Sequence, residues 1–209
     1  MTVELFCGDC LEFMRGLPDG SVDACITDPP YGIDGDYQTY NDSVENLAAL
    51  VPEFVGECRR ITRGVVAVFT GVKNMELYNG CDWRIAWVCP AGTGVSAWGF
   101  TCWTPIAIYG KDPFSGKGSR PDAYVDYKPK REGHAHPYEK PLSVMRWILE
   151  RCARPSATVL DPFMGSGTTG VACVKTGRNF IGCEIDPAYF AIAERRIAEA
   201  QLQPRLMEV

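Results

Sequence analysis

The sequence of 209 residues has no apolar run that approaches the roughly 20 residues needed for a membrane-spanning helix. Its N-terminus shows no signal-peptide pattern, and internal repeats and low-complexity segments are absent. Histidine is scarce, because only His134 and His136 occur, too few to complete a metal site. We therefore expect a cytoplasmic globular protein that holds no metal.

Ten cysteines would suit a disulfide framework or a zinc site, but their spacing favours neither. Only Cys7 and Cys10 are spaced like a pair of zinc ligands, and no second pair of that kind follows. Cys25 and Cys183 lie in apolar segments that are predicted to be strands. The cysteines are therefore predicted to be reduced thiols, most of them buried.

The chain also lacks a positive net charge, since 21 basic residues are outnumbered by 26 acidic ones, giving −5. Bulk attraction to nucleic acid is therefore excluded, and any such binding must come from local patches. Residues 111–132 form the best candidate, because basic residues exceed acidic ones there and glycines and prolines predict a loop. Its basic residues are Lys111, Lys117, Arg120, Lys128, Lys130 and Arg131. An ordinary solvated surface loop is the alternative.

The most informative segment is Asp28-Pro29-Pro30-Tyr31, which follows the apolar-rich residues 22–27. Prolines fix φ near about −65° and lack an N–H, so carbonyls around them are left to accept hydrogen bonds from a ligand. Asp28 adds a carboxylate acceptor, and Tyr31 adds an aromatic face for stacking. The segment predicts a pocket for an aminated flat ring, with a simple capped turn as the alternative.

A second segment runs from Asp161 to Gly170, with the sequence Asp-Pro-Phe-Met-Gly-Ser-Gly-Thr-Thr-Gly, between a short apolar strand and a predicted helix. Its glycines allow close approach of a ligand, and the helix N-terminus offers free N–H donors. The glycines match the dinucleotide-binding fingerprint Gly-x-Gly-x-x-Gly. Glu184 ends the next predicted strand, the position at which an acid binds the ribose hydroxyls of a nucleotide. Asp161 would repel a pyrophosphate but suits a cationic ligand such as S-adenosylmethionine. A tight turn without a ligand is the alternative.

With both segments identified, the chain resembles the amino-directed DNA methyltransferases, which methylate N6 of adenine or N4 of cytosine. The resemblance is carried by Asp28–Tyr31, Asp161–Gly167, Gly182–Pro187 and His136-Pro137-x-x-Lys140-Pro141. The catalytic segment precedes the cofactor loop, which is the circularly permuted order of the β group in that family. The similarity extends from Val3 to about Ala200 and is weakest between Gly71 and Gly133.

The resemblance implies transfer of a methyl group from S-adenosylmethionine to a flipped base in DNA. Its catalytic positions are Asp28, Pro29, Pro30 and Tyr31. Its cofactor positions are Asp9, Cys10, His136, Lys140, Asp161, Phe163, Gly165, Ser166, Gly167, Thr168, Glu184, Ile185 and Asp186. Lys140 is expected near the methionine carboxylate, and residues 111–133 are expected to form a short target-recognition loop. Aspartate at the first motif position favours adenine, with N4 of cytosine as the alternative.

Hydrophobic periodicity predicts one α/β domain over residues 1–209. Strands are predicted at 3–7, 22–27, 65–70, 84–89, 105–109, 157–160 and 179–184, and helices at about 44–62, 141–153, 168–176 and 187–201. Their alternation implies a Rossmann-like, circularly permuted methyltransferase fold with a mostly parallel seven-stranded sheet and helices on both faces. Ligands of such sheets bind beyond the carboxyl ends of the strands, where Asp9, Asp28, Asp161 and Glu184 are predicted to lie.

Two functions of other classes stay open on the sequence. A nucleotide-dependent oxidoreductase would use the glycine fingerprint, but it leaves Asp28–Tyr31 and Asp161 without roles. An inactive DNA-binding relative is the other, although intact Asp28 and Tyr31 argue against it. A homodimer is possible, and neither the recognition sequence nor a restriction partner is indicated.

Overall fold

The computed structural model describes residues 1–35, 39–96, 98–127 and 139–202. Strands alternate with helices over residues 3–69 and 142–202, as the periodicity predicts, whereas the described residues between 83 and 125 form successive strands without an intervening helix. The strands are β1 (Val3–Cys7), β2 (Val22–Thr27), β3 (Thr62–Phe69), β4 (Trp83–Val88), β5 (Gly94–Ser96), β6 (Gly99–Thr101), β7 (Trp103–Tyr109), β8 (Ala123–Val125), β9 (Thr158–Asp161) and β10 (Asn179–Glu184). The helices are α1 (Cys10–Arg15), α2 (Val44–Ile61), α3 (Leu142–Cys152), α4 (Thr168–Lys175) and α5 (Pro187–Leu202), with one 3₁₀ turn at Met75–Leu77.

One sheet contains eight of these strands, in the order β1-β10-β9-β2-β3-β7-β4-β8. Neighbouring strands are parallel except at β7, which runs antiparallel to both β3 and β4. All seven predicted strands are present in this sheet, but β8 raises the number of its strands from the predicted seven to eight. Residues 123–125, predicted as loop, pair with the end of β4 and add an eighth strand at the edge. Strands β5 and β6 form a separate hairpin.

The central strands are mostly apolar because helices cover both faces of the sheet. Alternate residues of β3 show this division, since successive strand side chains point to opposite faces. Val65, Ala67 and Phe69 belong to the core cluster that includes residues of α3, α4 and α5. Val66 and Val68 belong to the cluster that includes residues of α1 and α2. The prediction of helices on both faces is therefore confirmed.

Local capping signals set the starts of two helices. Asp186 Oδ1 accepts the N–H groups of Ala188 and Tyr189 at 2.8 and 3.3 Å, and Pro187 opens α5 as predicted. Asp9 caps α1 in the same way, with its Oδ1 accepting Glu12 N–H at 2.9 Å. Helix α1 was not predicted, because its six residues are too few to show a helical period.

All ten cysteines lie in the described ranges and are free thiols. Seven of them are buried members of the two core clusters on either side of the sheet: Cys10, Cys25, Cys58, Cys89, Cys152, Cys173 and Cys183. Across the part of the chain that the structure describes, no group of three or more potential ligands is arranged to hold a metal ion. Nor is any described helix both long and apolar enough to cross a membrane.

The carboxyl ends of β1, β10, β9, β2 and β3 lie side by side along one edge of the sheet. Asp9 and Asp28 follow β1 and β2, whereas Glu184 and Asp161 are the last residues of β10 and β9. In sheet order the four acids are therefore Asp9, Glu184, Asp161 and Asp28. The parallel topology gathers acids from both halves of the chain at one edge.

Candidate active site

A cavity of about 330 Å³ opens at this edge of the sheet. Among the described residues, its lining contains every predicted catalytic residue and every predicted cofactor residue except Gly167. These residues are Asp28, Pro29, Pro30, Tyr31, Asp9, Cys10, Lys140, Asp161, Phe163, Gly165, Ser166, Thr168, Glu184, Ile185 and Asp186. The lining also includes Glu139, which makes six carboxylates, against a single cationic residue in the described lining, Lys140. This charge balance suits a ligand that carries positive charge.

Asp28 is held from two sides at one end of the cavity. Its Oδ1 accepts the Tyr31 hydroxyl at 2.7 Å, and its Oδ2 accepts Lys140 Nζ at 2.6 Å. The Lys140 ammonium lies 5.0 Å from the centroid of the Tyr31 ring and 5.6 Å from that of Phe69. Both distances are in the range of a cation–π contact. The carboxylate and the aromatic face predicted from sequence are thus joined through a lysine.

Lys140 lies at the start of α3, directly before its N-cap Pro141. It forms an ion pair with Asp28 in which both side chains are mostly buried. Its expected place near the methionine carboxylate of a cofactor stays a prediction. The pairing could not be read from the sequence because 112 positions separate the two residues.

A buried carboxylate shapes the chain just after Tyr31. Asp42 is 1% exposed and accepts the backbone N–H groups of Gly32, Ile33 and Gly35 at 2.6, 3.2 and 3.1 Å. Asn74 Nδ2 donates to the carbonyl of Tyr31 at 2.7 Å. Sequence reasoning missed both residues, because a single Asp or Asn in a loop carries no motif. Together they position the Tyr31 backbone.

Asp161 lies buried at the centre of the strand edge. Its Oδ1 accepts the Thr27 hydroxyl at 2.6 Å and Phe163 N–H at 3.1 Å, and its Oδ2 accepts the Thr169 hydroxyl at 2.6 Å. Burial nevertheless raises the pKa of Asp161 to about 6, and the nearby charge of Asp28 acts in the same direction. Three internal donors therefore anchor this acid between β2 and the glycine-rich segment that follows it up to Gly170, called the glycine loop below.

Glu184 fastens the glycine loop to the end of β10. Its two oxygens accept the N–H groups of Gly165 and Asp186, each at 2.9 Å, and burial raises its pKa. Gly167 lies outside the cavity lining, and its predicted cofactor contact stays a prediction. It adopts φ +83° at the N-cap of α4, and a Cβ there would lie 2.9 Å from the Ala193 Cα of α5. Glycine is thus required for close packing, outside the cavity lining.

Glu139 is a buried acid that sequence reasoning did not select. Its Oε1 forms an ion pair with Arg196 and accepts the Thr168 hydroxyl at 3.2 Å. Arg196 Nη1 also donates to the carbonyl and hydroxyl oxygens of Ser166, at 2.7 and 2.8 Å. The second oxygen, Oε2, is buried and has no hydrogen-bond partner among the described residues. Buried acceptors are nearly always paired, so an unpaired one in a cavity wall indicates a donor on the ligand.

Three of the six predicted DNA-binding residues lie within the described part of the chain. Lys128, Lys130 and Arg131, like the predicted cofactor residue His136, lie outside the described residues. Those predictions therefore stay open.

Lys111, Lys117 and Arg120 belong to the segment that leaves β7 after Tyr109. Because β7 is antiparallel to β3, Ile106 pairs with Phe69 at the carboxyl end of β3 and Tyr109 pairs with Val66, so the chain leaves β7 towards the amino end of β3. The segment therefore starts at the edge of the sheet opposite the cavity. In addition, Arg120 Nη2 donates to Asp112 Oδ1 at 2.7 Å. DNA binding by these three residues stays a prediction, and the segment that carries them leaves β7 away from the cavity.

Comparison with known proteins agrees with this architecture. A family model described as DNA methylase (N6_N4_Mtase) matches residues 95–195. The type II methyltransferase M.HinfI of Haemophilus influenzae is 25% identical over 255 residues, covering 97% of this chain and 70% of that protein. The DNA adenine methyltransferase YhdJ of Escherichia coli (strain K12) is 27% identical over 241 residues, covering 91% of this chain and 81% of that protein.

Solved structures show the same fold. The crystal structure of M1.HpyAVI has a TM-score of 0.68 and 26% identity, and covers 94% of this chain and 98% of that one. The PvuII DNA methyltransferase (cytosine-N4-specific) has a TM-score of 0.73 over the whole of this chain and 89% of that one, at 15% identity, a likeness of fold alone. In its motifs, its fold and its relatives, the chain is therefore similar to DNA methylases of the N6_N4_Mtase family.

Proposed function

We propose that this DNA methyltransferase uses S-adenosylmethionine to methylate N6 of adenine, and that residues 1–209 form a single methyltransferase domain. One observation carries the proposal: the Asp28 carboxylate and the Tyr31 ring meet at one end of an acid-lined cavity whose other end carries the glycine loop. An amino group and a cationic methyl donor can therefore be held in the same crevice. N4 of cytosine is the second candidate.

The donor groups of the cavity fit S-adenosylmethionine. Glu139 Oε2 is a buried acceptor in need of a donor, which suits the ammonium of the cofactor. Each carboxylate oxygen of Glu184 accepts one backbone N–H and retains lone pairs that can accept hydrogen bonds from ribose hydroxyls. Asp161, whose oxygens are engaged internally, acts through its charge. When bound, the cofactor supplies a methyl group activated by a sulfonium.

The same acid-rich lining opposes the oxidoreductase alternative. A dinucleotide brings a pyrophosphate, which favours helix N–H groups and cations over carboxylates. Six carboxylates line this cavity, with Lys140 as the cation of the described lining, and that lysine is already paired with Asp28. Binding of a dinucleotide would therefore place anions among anions.

Asp28 and Pro29 are proposed to activate the target nitrogen. An exocyclic amino group is a poor nucleophile because its lone pair is delocalised into the ring. If Asp28 and the carbonyl of Pro29 accept its two N–H bonds, the nitrogen becomes pyramidal and its lone pair points towards the methyl donor. A carboxylate is too weak a base to deprotonate the amine beforehand, so the proton would pass to Asp28 only as the new N–C bond forms. The bond between the methyl group and the sulfonium sulfur would break in the same step, leaving the cofactor as a neutral thioether.

Tyr31 and Lys140 are proposed to prepare this geometry. Tyr31 offers its ring to the flipped base, and stacking returns about 1–3 kcal/mol towards the few kcal/mol that flipping costs. Lys140 and the Tyr31 hydroxyl hold the two oxygens of Asp28 in one orientation before the base arrives. Correct alignment of two reactants contributes about 7–11 kcal/mol in favourable cases, so such positioning is important for the rate.

The choice of adenine is supported by the aspartate at the first motif position and by the named activity of the relative YhdJ. The test is methylation of unmethylated plasmid DNA with labelled S-adenosylmethionine, followed by chromatography of the nucleosides. We expect N6-methyladenine. N4-methylcytosine alone would show that cytosine is the target, and no transfer to any DNA would favour the inactive relative.

A further inference from the structure

The hairpin of β5 and β6 carries large apolar side chains in solvent. Val95 is 85% exposed, Phe100 is 80% exposed and Trp98, in the turn, is fully exposed. Val95 and Phe100 are directly opposite each other across the two strands. Clustered apolar exposure of this kind marks an interaction surface, because single exposed residues are common but such groups are not.

This hairpin stands at the mouth of the cavity. Val88 at the end of β4 pairs with Trp103 at the start of β7, so the chain between them lies at the cavity edge of the sheet. Thr93 lines the cavity, and its N–H and hydroxyl both donate to the carbonyl of Thr101, at 2.6 and 2.9 Å. The base of the hairpin is therefore fastened to the cavity rim.

The chemistry of the hairpin indicates what it binds. Residues 93–101 contain no charged side chain, so the hairpin cannot bind phosphates through ion pairs. Its aromatic side chains suit flat apolar faces instead. A duplex from which one base has been flipped exposes such faces on either side of the gap, and proteins fill gaps of this kind with apolar wedges.

We propose that the β5–β6 hairpin enters duplex DNA at the target site and that Trp98 stacks in the space the flipped base leaves. This inference rests on the proposed function, since it needs a base in the cavity. The hairpin would contact DNA at the cavity edge of the sheet. Lys111, Lys117 and Arg120, in contrast, belong to the segment that leaves β7 at the opposite edge. The hairpin lowers the cost of flipping and takes no part in the chemical step.

The test compares Trp98→Ala with Trp83→Ala on two DNA substrates. Trp83 is a matched control, because it is 61% exposed but pairs with Ile108 at the other end of β4. One duplex carries a paired target adenine, and the other has the same sequence with the target opposite an abasic site, where flipping costs less. Unchanged urea midpoints would confirm that both variants fold.

We expect Trp98→Ala to lose about 5- to 150-fold in kcat/KM on the paired duplex, from the loss of one stacking contact. On the unpaired target it should stay within about threefold of wild type, and Trp83→Ala should match wild type on both. Equal losses of kcat/KM on both duplexes, or no loss on either, would overturn the proposal that Trp98 acts as a wedge in the DNA. A change of sedimentation coefficient with unchanged transfer would instead show a contact between two copies of the chain.

Base flipping is also measured without methyl transfer. With 2-aminopurine at the target position, wild type should raise the fluorescence on binding and Trp98→Ala should raise it less at saturating protein. This readout tests the hairpin even if wild type transfers no methyl group, so failure of the proposed function and failure of the wedge are distinguishable. Equal fluorescence in both proteins would contradict the proposal.

Discussion

The two ends of the cavity are built in different ways. At the cofactor end, Asp161 and Glu184 close adjacent parallel strands and are tied to the glycine loop by hydroxyl and backbone N–H donors. At the base end, Asp28 is held by the side chains of Tyr31 and Lys140. One end is fixed mainly through the main chain and the other through side chains.

The difference follows from where each end lies in the sheet. The cofactor end stands over consecutive parallel strands, whose hydrogen-bond ladder fixes the spacing of the strand ends. The base end starts at β2, whose two neighbours are parallel, and extends towards antiparallel β7, where loops and the exposed hairpin lie. Binding residues on loops adjust more readily to a ligand. We expect changes at the cofactor end to alter affinity, and changes at the base end to alter turnover.

The largest effect is expected for Asp28→Ala. Methyl transfer should fall by at least about 10²- to 10³-fold, by analogy with loss of a single transition-state hydrogen-bond partner. Cofactor affinity should stay near wild type, because Asp28 faces the base end. Single-turnover transfer and calorimetric titration with S-adenosylmethionine measure the two quantities. A loss of affinity as large as the loss of activity would contradict the division between the ends.

The reverse outcome is expected for Glu184→Gln. Removing a charged hydrogen-bond partner costs about 1.5–3 kcal/mol, so cofactor affinity should fall roughly 10- to 150-fold. Turnover at saturating cofactor should change much less. The matched control is Glu53→Gln, an exposed carboxylate paired with Arg15. Calorimetry that gives the same affinity for both variants would place the ribose site elsewhere.

Lys140→Met tests the lysine that sequence reasoning assigned to the cofactor. We expect turnover to fall about tenfold, roughly 1.4 kcal/mol, with cofactor affinity unchanged, because the lysine orients Asp28. Lys140→Arg should restore part of the turnover, since a guanidinium can also donate to the carboxylate. Weakened cofactor binding with normal turnover at saturation would support the methionine-carboxylate role instead.

The last prediction concerns stability rather than activity, namely its dependence on pH. Burial raises the pKa of Asp161 in the folded protein to about 6 from its ordinary value of 3.8. The stabilisation that results from this raised pKa is thus fully present below pH 3.8 and is lost as the pH rises to about 6. The loss should approach about 1.4 kcal/mol per pH unit within this window.

Asp161→Asn removes this titration and leaves that of Glu184. Urea unfolding from pH 4 to pH 7 should therefore give a steeper fall in stability for wild type than for the variant. Parallel curves would show that Asp161 titrates alike in the folded and unfolded chains.

Much of the fold could be predicted from local sequence. The seven long strands and four of the helices lie within a few residues of their predicted ends, because apolar periodicity and caps such as Asp186-Pro187 act over a few residues. The short elements α1 and β8 could not be predicted, since six and three residues are too few to carry a period. The wall of the cavity was largely identifiable because its motifs lie at strand ends.

The sequence by itself thus determined the strands, the helices and the acids that close them. Only the tertiary structure decided which side chains meet: Lys140 with Asp28, and Glu139 with Arg196. It also decided that residues after Tyr109 start opposite the cavity while the β5–β6 hairpin stands at its mouth. The physical reason is that local patterns set an element and its ends, whereas strand order and direction set its neighbours.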